Sequence, residues 1–433
     1  MNQRALIQSK LLFLFGAGSS IPAGVKSTDN LTEWLVSALD HDPFLATQDW
    51  LRDLWKVICH HARLSSLVMG PYQPNFEHLV YAIELMEDYL DVFRIPDKDY
   101  VDAIKEFGKR AQLHNDVEAY SAASYSLLPI TLDARSTNPI SLQVNIKGSS
   151  AKFMWAARAI RRLLADQIPS HYDLNYLEPF KETFSESPGQ ITIATTNYDL
   201  VFDKFFSTYG IPFDDGFEKG AAANTWNGFC KEEATATKYL KLHGSMDWFQ
   251  IKKEWFNTAP QELSPNDIYK VEQPSVAAVL KRKLTEKGIT DQKYRFEFDV
   301  PHLILGGNKD RKILDVPYVE IHREWTYQLS NAETIVFVGV GGFDFHLLQQ
   351  VRGLIATNRT LNKIIIVNPN WDSHKRLAAF LSSPRIRRDV RFFHIETNWD
   401  MKVIESQYKR PFLEMLTMSA EDLYAHYKSE LNA

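Results

Sequence analysis

Leu11-Leu12-Phe13-Leu14-Phe15-Gly16-Ala17-Gly18-Ser19-Ser20-Ile21-Pro22-Ala23-Gly24 sets five large apolar residues in a row and stops them at a turn of small ones. An unbroken run that short, bounded by glycine, reads as a strand buried on both faces. Gly16 and Gly18 allow a sharp turn and a close approach of the backbone to a ligand, which a Cβ would prevent. Ser19 and Ser20 add hydroxyls and backbone N–H groups. Leu31, Trp34, Leu35 and Leu39 follow at helical spacing, so strand, glycine turn and helix are expected in succession. That geometry offers a pyrophosphate the unpaired N–H groups and positive dipole end of a helix. The full dinucleotide fingerprint asks for a third glycine where Ile21 stands, and no acidic residue closes a second strand at the expected distance. The competing reading of this stretch alone is a buried strand ending in an ordinary tight turn.

Downstream, a mostly helical region is expected from about 40 to 180. Trp50, Leu51, Leu54, Trp55 and Ile58 recur at helical spacing, as do Phe76, Leu79, Val80, Ile83 and Met86. Phe153 to Gln167 reads as a further helix, with Arg158, Arg161 and Arg162 on its polar side as a solvated face or a subunit contact rather than a phosphate site. Ser121 to Ser150 reads as a loop with a short hairpin at most. Strands then resume: Ile191–Thr195, Tyr239–Leu242, His302–Leu305, Thr334–Val338, Lys363–Val367 and Val390–His394. Helical patterns at Leu200–Tyr209, Val319–Leu329 and Phe345–Ile355 lie between some of them. This alternation predicts an α/β fold, a doubly wound Rossmann-like parallel sheet carrying a large helical insertion. The expected divisions are 1–40 with 181–400 as the core, 41–180 as the insertion and 401–433 as a C-terminal helix. Trp248 to Phe298 reads as a charged, irregular insertion.

Bulk composition narrows the function. At 433 residues, the chain is long enough for two or three domains. Its 45% hydrophobic and 24% charged residues are those of a soluble globular protein. A net charge of −5 leaves no overall footprint for nucleic acid, so direct nucleic-acid binding is not expected. Cys59 and Cys230 are the only cysteines, which excludes a disulfide framework and any four-cysteine zinc ribbon made by this chain alone. That usage suits a reducing cytoplasm. No stretch approaches the ~20 apolar residues of a membrane span, and the five-residue run is too short for a signal peptide.

In a doubly wound sheet, ligands bind beyond the carboxyl ends of the strands. Four groups of polar or glycine residues follow the expected strands: Gly16 to Ser20; Thr195-Thr196-Asn197-Tyr198-Asp199; His243-Gly244-Ser245; and the late pair Gly339-Val340-Gly341-Gly342-Phe343-Asp344 with Asn368-Pro369-Asn370. Each has a plainer explanation. Asn197 or Asp199 could cap the helix starting at Leu200. His243 could be a hydrogen-bonded core histidine, Asn368-Pro369-Asn370 an ordinary turn, and Gly339 to Gly342 a flexible connection. Placement of all of them at one sheet edge is what favours a site.

Gly16-Ala17-Gly18-Ser19-Ser20, Thr195-Thr196-Asn197-Tyr198-Asp199 and Leu242-His243-Gly244, in that order, resemble the sirtuin fold family, and more narrowly the sirtuin-like effectors of bacterial anti-phage defence. Ile335 to Asp344 and Ile364 to Pro369 fit the same family. The resemblance implies that Gly16, Ala17, Gly18, Ser19 and Ser20 cradle the pyrophosphate of NAD, with Thr196 beside them. It implies that Asn197 orients the attacking water at the nicotinamide ribose, that Asp199 holds the pocket in shape, and that His243 is the base. Gly339 and Asn368 would line the adenosine half, and Asp344 would join the pocket. Cleaving the nicotinamide–ribose bond builds positive charge on the ribose. The leaving group departs neutral, so an oriented nucleophile and a base that titrates near neutrality are what help.

Departures from the family pattern narrow the expected reaction. Protein-deacylating sirtuins carry a four-cysteine zinc ribbon, and Val25-Lys26-Ser27-Thr28 stands where they have Asp-Phe-Arg. Hydrolysis of NAD itself, as substrate and with no metal, is therefore expected, yielding nicotinamide and ADP-ribose. The resemblance further implies NAD depletion during phage infection, a homo-oligomer, and a partner such as a hexameric HerA-type ATPase. The rivals are a protein deacylase or ADP-ribosyltransferase and a non-catalytic module that senses NAD or ADP-ribose. The helical region from about 40 to 180 is expected to gate the site.

Overall fold

A computed structural model describes residues 10–43, 45–69, 74–93, 151–169, 171–186, 189–218, 224–229, 236–250, 268–270, 301–305, 313–341, 344–369, 371–381, 390–395, 415–416, 418–423 and 425. The chain divides into two compact units. One comprises Met1–Ser27, Ile168–Leu303 and Asp310–Ala433; the other comprises Thr28–Gln167 and Ile304–Lys309.

The first unit is built on a seven-stranded sheet. Its strands are β1 (Leu11–Phe15), β2 (Ile191–Thr195), β3 (Phe213–Asp214), β6 (Thr237–Lys241), β9 (Thr334–Val338), β10 (Lys363–Val367) and β11 (Arg391–Ile395), once β4 (Phe217–Glu218), β5 (Asn224–Trp226), β7 (Trp248–Gln250) and β8 (Ile268–Lys270) are counted in chain order. The spatial order is β11-β10-β9-β1-β2-β6-β3, and every neighbouring pair is parallel. Leu11 pairs with Ile191 on one side and Thr334 on the other, so the strands end together. β1, β2, β9 and β10 are buried along their whole length, as apolar runs covered on both faces must be. This is the expected Rossmann-like sheet.

Helices cover it. They are α6 (Val201–Tyr209), α7 (Tyr318–Asn331), α8 (Phe345–Ile355) and α9 (Trp371–Leu381), preceded in the chain by α1 (Thr28–His41), α2 (Asp49–Met69), α3 (Phe76–Phe93), α4 (Ala151–Asp166) and α5 (Lys181–Glu186). Phe202, Phe205 and Phe206 of α6 enter one core with Phe13, Phe15, Phe180, Phe184 and Tyr239. Phe15 and Phe202 have ring centroids 4.4 Å apart, and Phe13 meets Phe184 edge-on at 6.1 Å. Burial of each such ring stabilises the fold by about 1.5–3 kcal/mol. This core fixes α6, and with it the loop that leads from β2.

Several elements differ from expectation. The helix expected through Leu31, Trp34, Leu35 and Leu39 is α1, but the glycine turn does not open it directly: Ala17–Ala23 forms a 3₁₀ segment, with Ser19 N–H donating to Gly16 O at 2.9 Å, and α1 starts at Thr28. Pro22 lies inside that segment and Gly24 closes it at φ 89°, so the local sequence favours a short tight piece. His302–Leu305 is no strand; Leu303 forms a single bridge to Gly244. Conversely, the stretch from Trp248 contains β7 and β8, which join β4 and β5 in a four-stranded antiparallel sheet of order β4-β5-β8-β7. The loop expected over Ser121–Ser150 and most of the C-terminal helix expected over 401–433 lie outside the described residues.

The second unit is helical in its described parts. Phe76 N–H donates to Thr32 Oγ1 at 3.1 Å, joining the start of α3 to α1. Arg161 of α4 pairs with Glu84 of α3, so one arginine of the polar stripe is an internal clamp. No helix among the described residues is long and apolar enough to cross a membrane.

Candidate active site

The chain runs from β1 to β2 on one side of the sheet and returns on the other side to β9. The β1/β9 boundary is therefore the topological switch point, where the loops diverge and leave a crevice. Gly16 N–H donates to Val338 O at 2.9 Å, Thr196 N–H to Phe15 O at 3.0 Å, Leu242 N–H to Thr195 O at 2.9 Å, and Gly339 N–H to Val367 O at 2.9 Å. These bonds lock the loops after β1, β2, β6 and β9 onto one edge, and Asn368 N–H, donating to Ile395 O at 3.1 Å, adds the loop after β10. All the residues singled out in the sequence follow those strands.

The glycines serve the loops themselves. A Cβ on Gly16 would stand 2.7 Å from Gly339 O, and one on Gly18 would stand 3.0 Å from Gly339 Cα. Gly339 has φ +62°, and a Cβ there would lie 2.4 Å from Ser19 N. Close approach of two backbones, rather than backbone to ligand, requires these three positions to lack a side chain. Ala17 is exposed and Gly18 half-buried, so the outer rim of the turn remains accessible.

Asn197 is fastened to this turn. Its Nδ2 lies 3.0 Å from Gly16 O, 2.8 Å from Ser20 Oγ and 3.3 Å from Ser19 Oγ. The amide nitrogen is taken up by the loop. Asn197 N–H donates to Thr195 Oγ1 at 3.0 Å, and Ser19 Oγ–H to Gly16 O at 2.7 Å. Thr196 Oγ1 lies 3.5 Å from Phe15 O. Asp199 is buried and accepts from Val201 N–H at 3.1 Å, which makes it a partner of the start of α6. Burial raises its pKa against the opposing effects of Ser20, the Val201 N–H and Lys241.

His243, 2% exposed, follows β6. Its Nε2 stands 3.1 Å from Asp344 Oδ2, an ion-pair distance without hydrogen-bond geometry; Nε2 makes no hydrogen bond among the described residues. Asp344 caps α8, accepting from Leu347 N–H at 3.4 Å through its other oxygen. One carboxylate thus faces both a helix start and the imidazole. The Tyr198 ring lies 6.3 Å from the His243 ring, centroid to centroid. Asn368 is buried, and its Nδ2 donates to Val340 O at 3.0 Å, holding the loop after β9.

Two tyrosines escaped the sequence reading. Tyr176 donates to Ser19 O at 3.0 Å, and Tyr172 accepts from Leu200 N–H at 3.3 Å. Burial, with Asp199 next in weight, raises the pKa of both phenols, so each stays protonated. They come from a segment with no regular periodicity, which gave no signal.

Sheet order and site together define a Rossmann-like α/β protein with its polar groups gathered at the switch point. Residues 191–387 match the family model described as a SIR2-like domain. That span holds Asn197, His243, Gly339, Asp344 and Asn368. Solved structures similar to the chain include Sir2Tm bound to a propionylated peptide, at 13% identity, TM-score 0.33 and 93% coverage of both chains. Another is a Sir2 mutant with a p53 peptide and NAD, at 13% identity and TM-score 0.32, covering 92% of this chain and 94% of that one. A comparison with curated proteins finds no match.

Proposed function

We propose that this site binds NAD and hydrolyses its nicotinamide–ribose bond, releasing nicotinamide and ADP-ribose. The SIR2-like match supports an NAD-using enzyme. The observation that carries the finer reading is the meeting of His243 with Asp344, at the same sheet edge as an Asn197 bolted to the glycine turn. Water oriented by the Asn197 carbonyl oxygen attacks the ribose carbon as the bond to nicotinamide breaks. His243 takes the proton, and Asp344 stabilises the imidazolium that results. Nicotinamide leaves with the bonding pair and is neutral, so no acid is required. The developing ribose cation is the charge the site must favour.

In this reading the accessible rim of the glycine turn takes the pyrophosphate, and the Gly339 and Asn368 loops take the adenosine half. The wider role is NAD depletion in anti-phage defence, released by self-association or by a HerA-type ATPase and gated by the helical unit; the family resemblance supports it. The test is incubation with NAD and an acylated peptide, with products weighed by mass spectrometry. Free ADP-ribose and nicotinamide are expected. Acyl-ADP-ribose or ADP-ribosylated protein would replace hydrolysis with deacylation or transfer.

A further inference from the structure

Beneath the site lies a buried cluster of charges that the reaction above does not use. Lys241, the last residue of β6, is 1% exposed. Its Nζ donates to Asp199 O at 2.9 Å, to Asp203 Oδ2 at 2.8 Å and to Ser245 Oγ at 2.5 Å. Ser245 in turn donates to Asp247 Oδ1. Lys270 of β8 lies 2.6 Å from both Asp203 Oδ1 and Asp215 Oδ2, and 3.9 Å from Asp247 Oδ2. Tyr239 donates to Asp203 Oδ2 at 3.1 Å.

An ammonium has three protons, and here each has one acceptor. The three acceptors belong to the loop after β2, to α6, and to the loop after β6. Asn197 lies two residues before Asp199, and His243 lies between Lys241 and Ser245. The two loops therefore share a single bolt. Gly244 adds a constraint: at φ +86° it turns the chain where a Cβ would lie 2.4 Å from both His302 O and the Tyr318 hydroxyl, so the backbone beside His243 is fixed on its other side too.

Burying ions costs more than packing apolar groups of the same size, and a buried charge cluster is weak evidence for stability. Asp203 and Lys270 stay charged all the same, while at Asp247 burial outweighs Lys270 and Lys241 and raises the carboxyl. Burial pushes the Asp203 carboxyl up, but Lys241 and Lys270 hold it well below the usual range; burial pushes Lys270 down, but Asp203, Asp215 and Asp247 raise it well above. What a point charge with three directed bonds supplies, and a methionine would not, is geometry.

We propose that Lys241 is a positioning residue that sets the placement of the His243 loop against the Asn197 loop, acting on the first through Ser245 and on the second through the Asp199 carbonyl. Its kinetic consequence rests on the NAD-hydrolysis reading; its structural consequence does not. The decisive variant is Ser245→Ala, which cuts the link to the His243 loop and leaves the Lys241–Asp203 and Lys270 pairs in place. Two readouts are taken on the full chain, with thermal melts as the control for folding: side-chain ¹⁵N resonances of labelled histidine, assigned with His243→Ala, and steady-state NAD cleavage.

The expected result is a folded protein whose His243 ring signals move, with kcat lowered about 10–100-fold and KM unchanged, the scale for a misplaced catalytic group. Lys241→Met should give a larger loss of kcat; if that variant does not fold, Ser245→Ala still decides. Parent-like ring signals, or shifted signals with parent kcat, overturn the proposal. Shifted signals in a protein whose parent form cleaves no NAD uphold the positioning role and reject the hydrolase reading instead.

Discussion

His243 and Asp344 come from loops a hundred residues apart in sequence, and only the fold sets Nε2 3.1 Å from Oδ2. Loss of the imidazole in His243→Ala should lower NAD cleavage by ~10²-fold or more, the scale of a lost general base. Asp344→Asn keeps an oxygen to cap α8 and removes the charge, so it should lower kcat by about 10-fold or more with little change in melting temperature. Parent-level kcat in a folded Asp344→Asn protein would remove the carboxylate from the mechanism. Asn197→Ala has a double effect. It loses the oxygen proposed to orient water and also removes the amide donor to Ser20 Oγ and Ser19 Oγ, at a cost of about 1–3 kcal/mol, while Gly16 O keeps its bonds from Ser19 N–H and Oγ–H. Turnover should fall further than NAD affinity measured by calorimetry; an equal fall would make Asn197 a strut of the turn alone. Composition and strand ends marked these residues in the sequence. What could not be read there was Asn197's three acceptors or the facing of Asp344, because both depend on loops brought together by the sheet. Lys241 did leave a trace: a lysine at the end of a mostly buried strand is costly unless paired.

At the scale of elements, the glycine turn after β1 and the turn after β9 are one packed unit. Gly339→Ala combines a left-handed backbone with a Cβ 2.4 Å from Ser19 N, so the turn carrying Ser19 and Ser20 must shift. The expected outcome is a loss of about 1–3 kcal/mol of stability and of NAD binding, measured by denaturant titration and calorimetry. Gly353→Ala is the control. It lies in α8, and a Cβ there would have no atom within 4 Å, so it should stabilise by about 0.5–1 kcal/mol and leave turnover alone. Unchanged NAD binding in Gly339→Ala would separate the two turns. The long apolar strands were legible because five-residue buried runs bounded by turns have few other readings. The strands β3, β4, β5, β7 and β8 were not, since two or three residues carry no period; β5 moreover pairs with β8, more than forty residues on. The 3₁₀ segment was missed because a glycine turn followed by a leucine pattern resembles a helix entrance, while Pro22 and Gly24 had already spent the intervening residues.

Across the whole first unit, the sheet has two edges with different work. The carboxyl edge carries the site; the opposite edge is held by packing and by Lys363, the first residue of β10. Its Nζ donates to Leu416 O at 2.6 Å and Met418 O at 2.5 Å, tying a segment near the C-terminus under the sheet. Sequence order predicted neither contact, because a lysine at a strand start reads as a solvated end. Burial lowers the Lys363 pKa to about 8 from the usual 10.5, against a smaller opposing effect of Glu333. Below about pH 8 the group is charged in folded and unfolded chains alike, and the fold bears the whole cost of burying it. Between the two values the unfolded chain binds more protons, so stability should rise with pH across that window. Lys363→Met carries no such proton. The difference in unfolding free energy, parent minus Lys363→Met, should therefore be level from pH 6 to about 7.5 and climb in the parent's favour from about 8 to 10. Denaturant titrations of both proteins at intervals across that range measure it directly, and other lysines and tyrosines cancel in the difference. A flat difference through pH 10 would mean that Lys363 reaches solvent and that the C-terminal segment is held by Met415, Leu416 and Leu423 in the core alone.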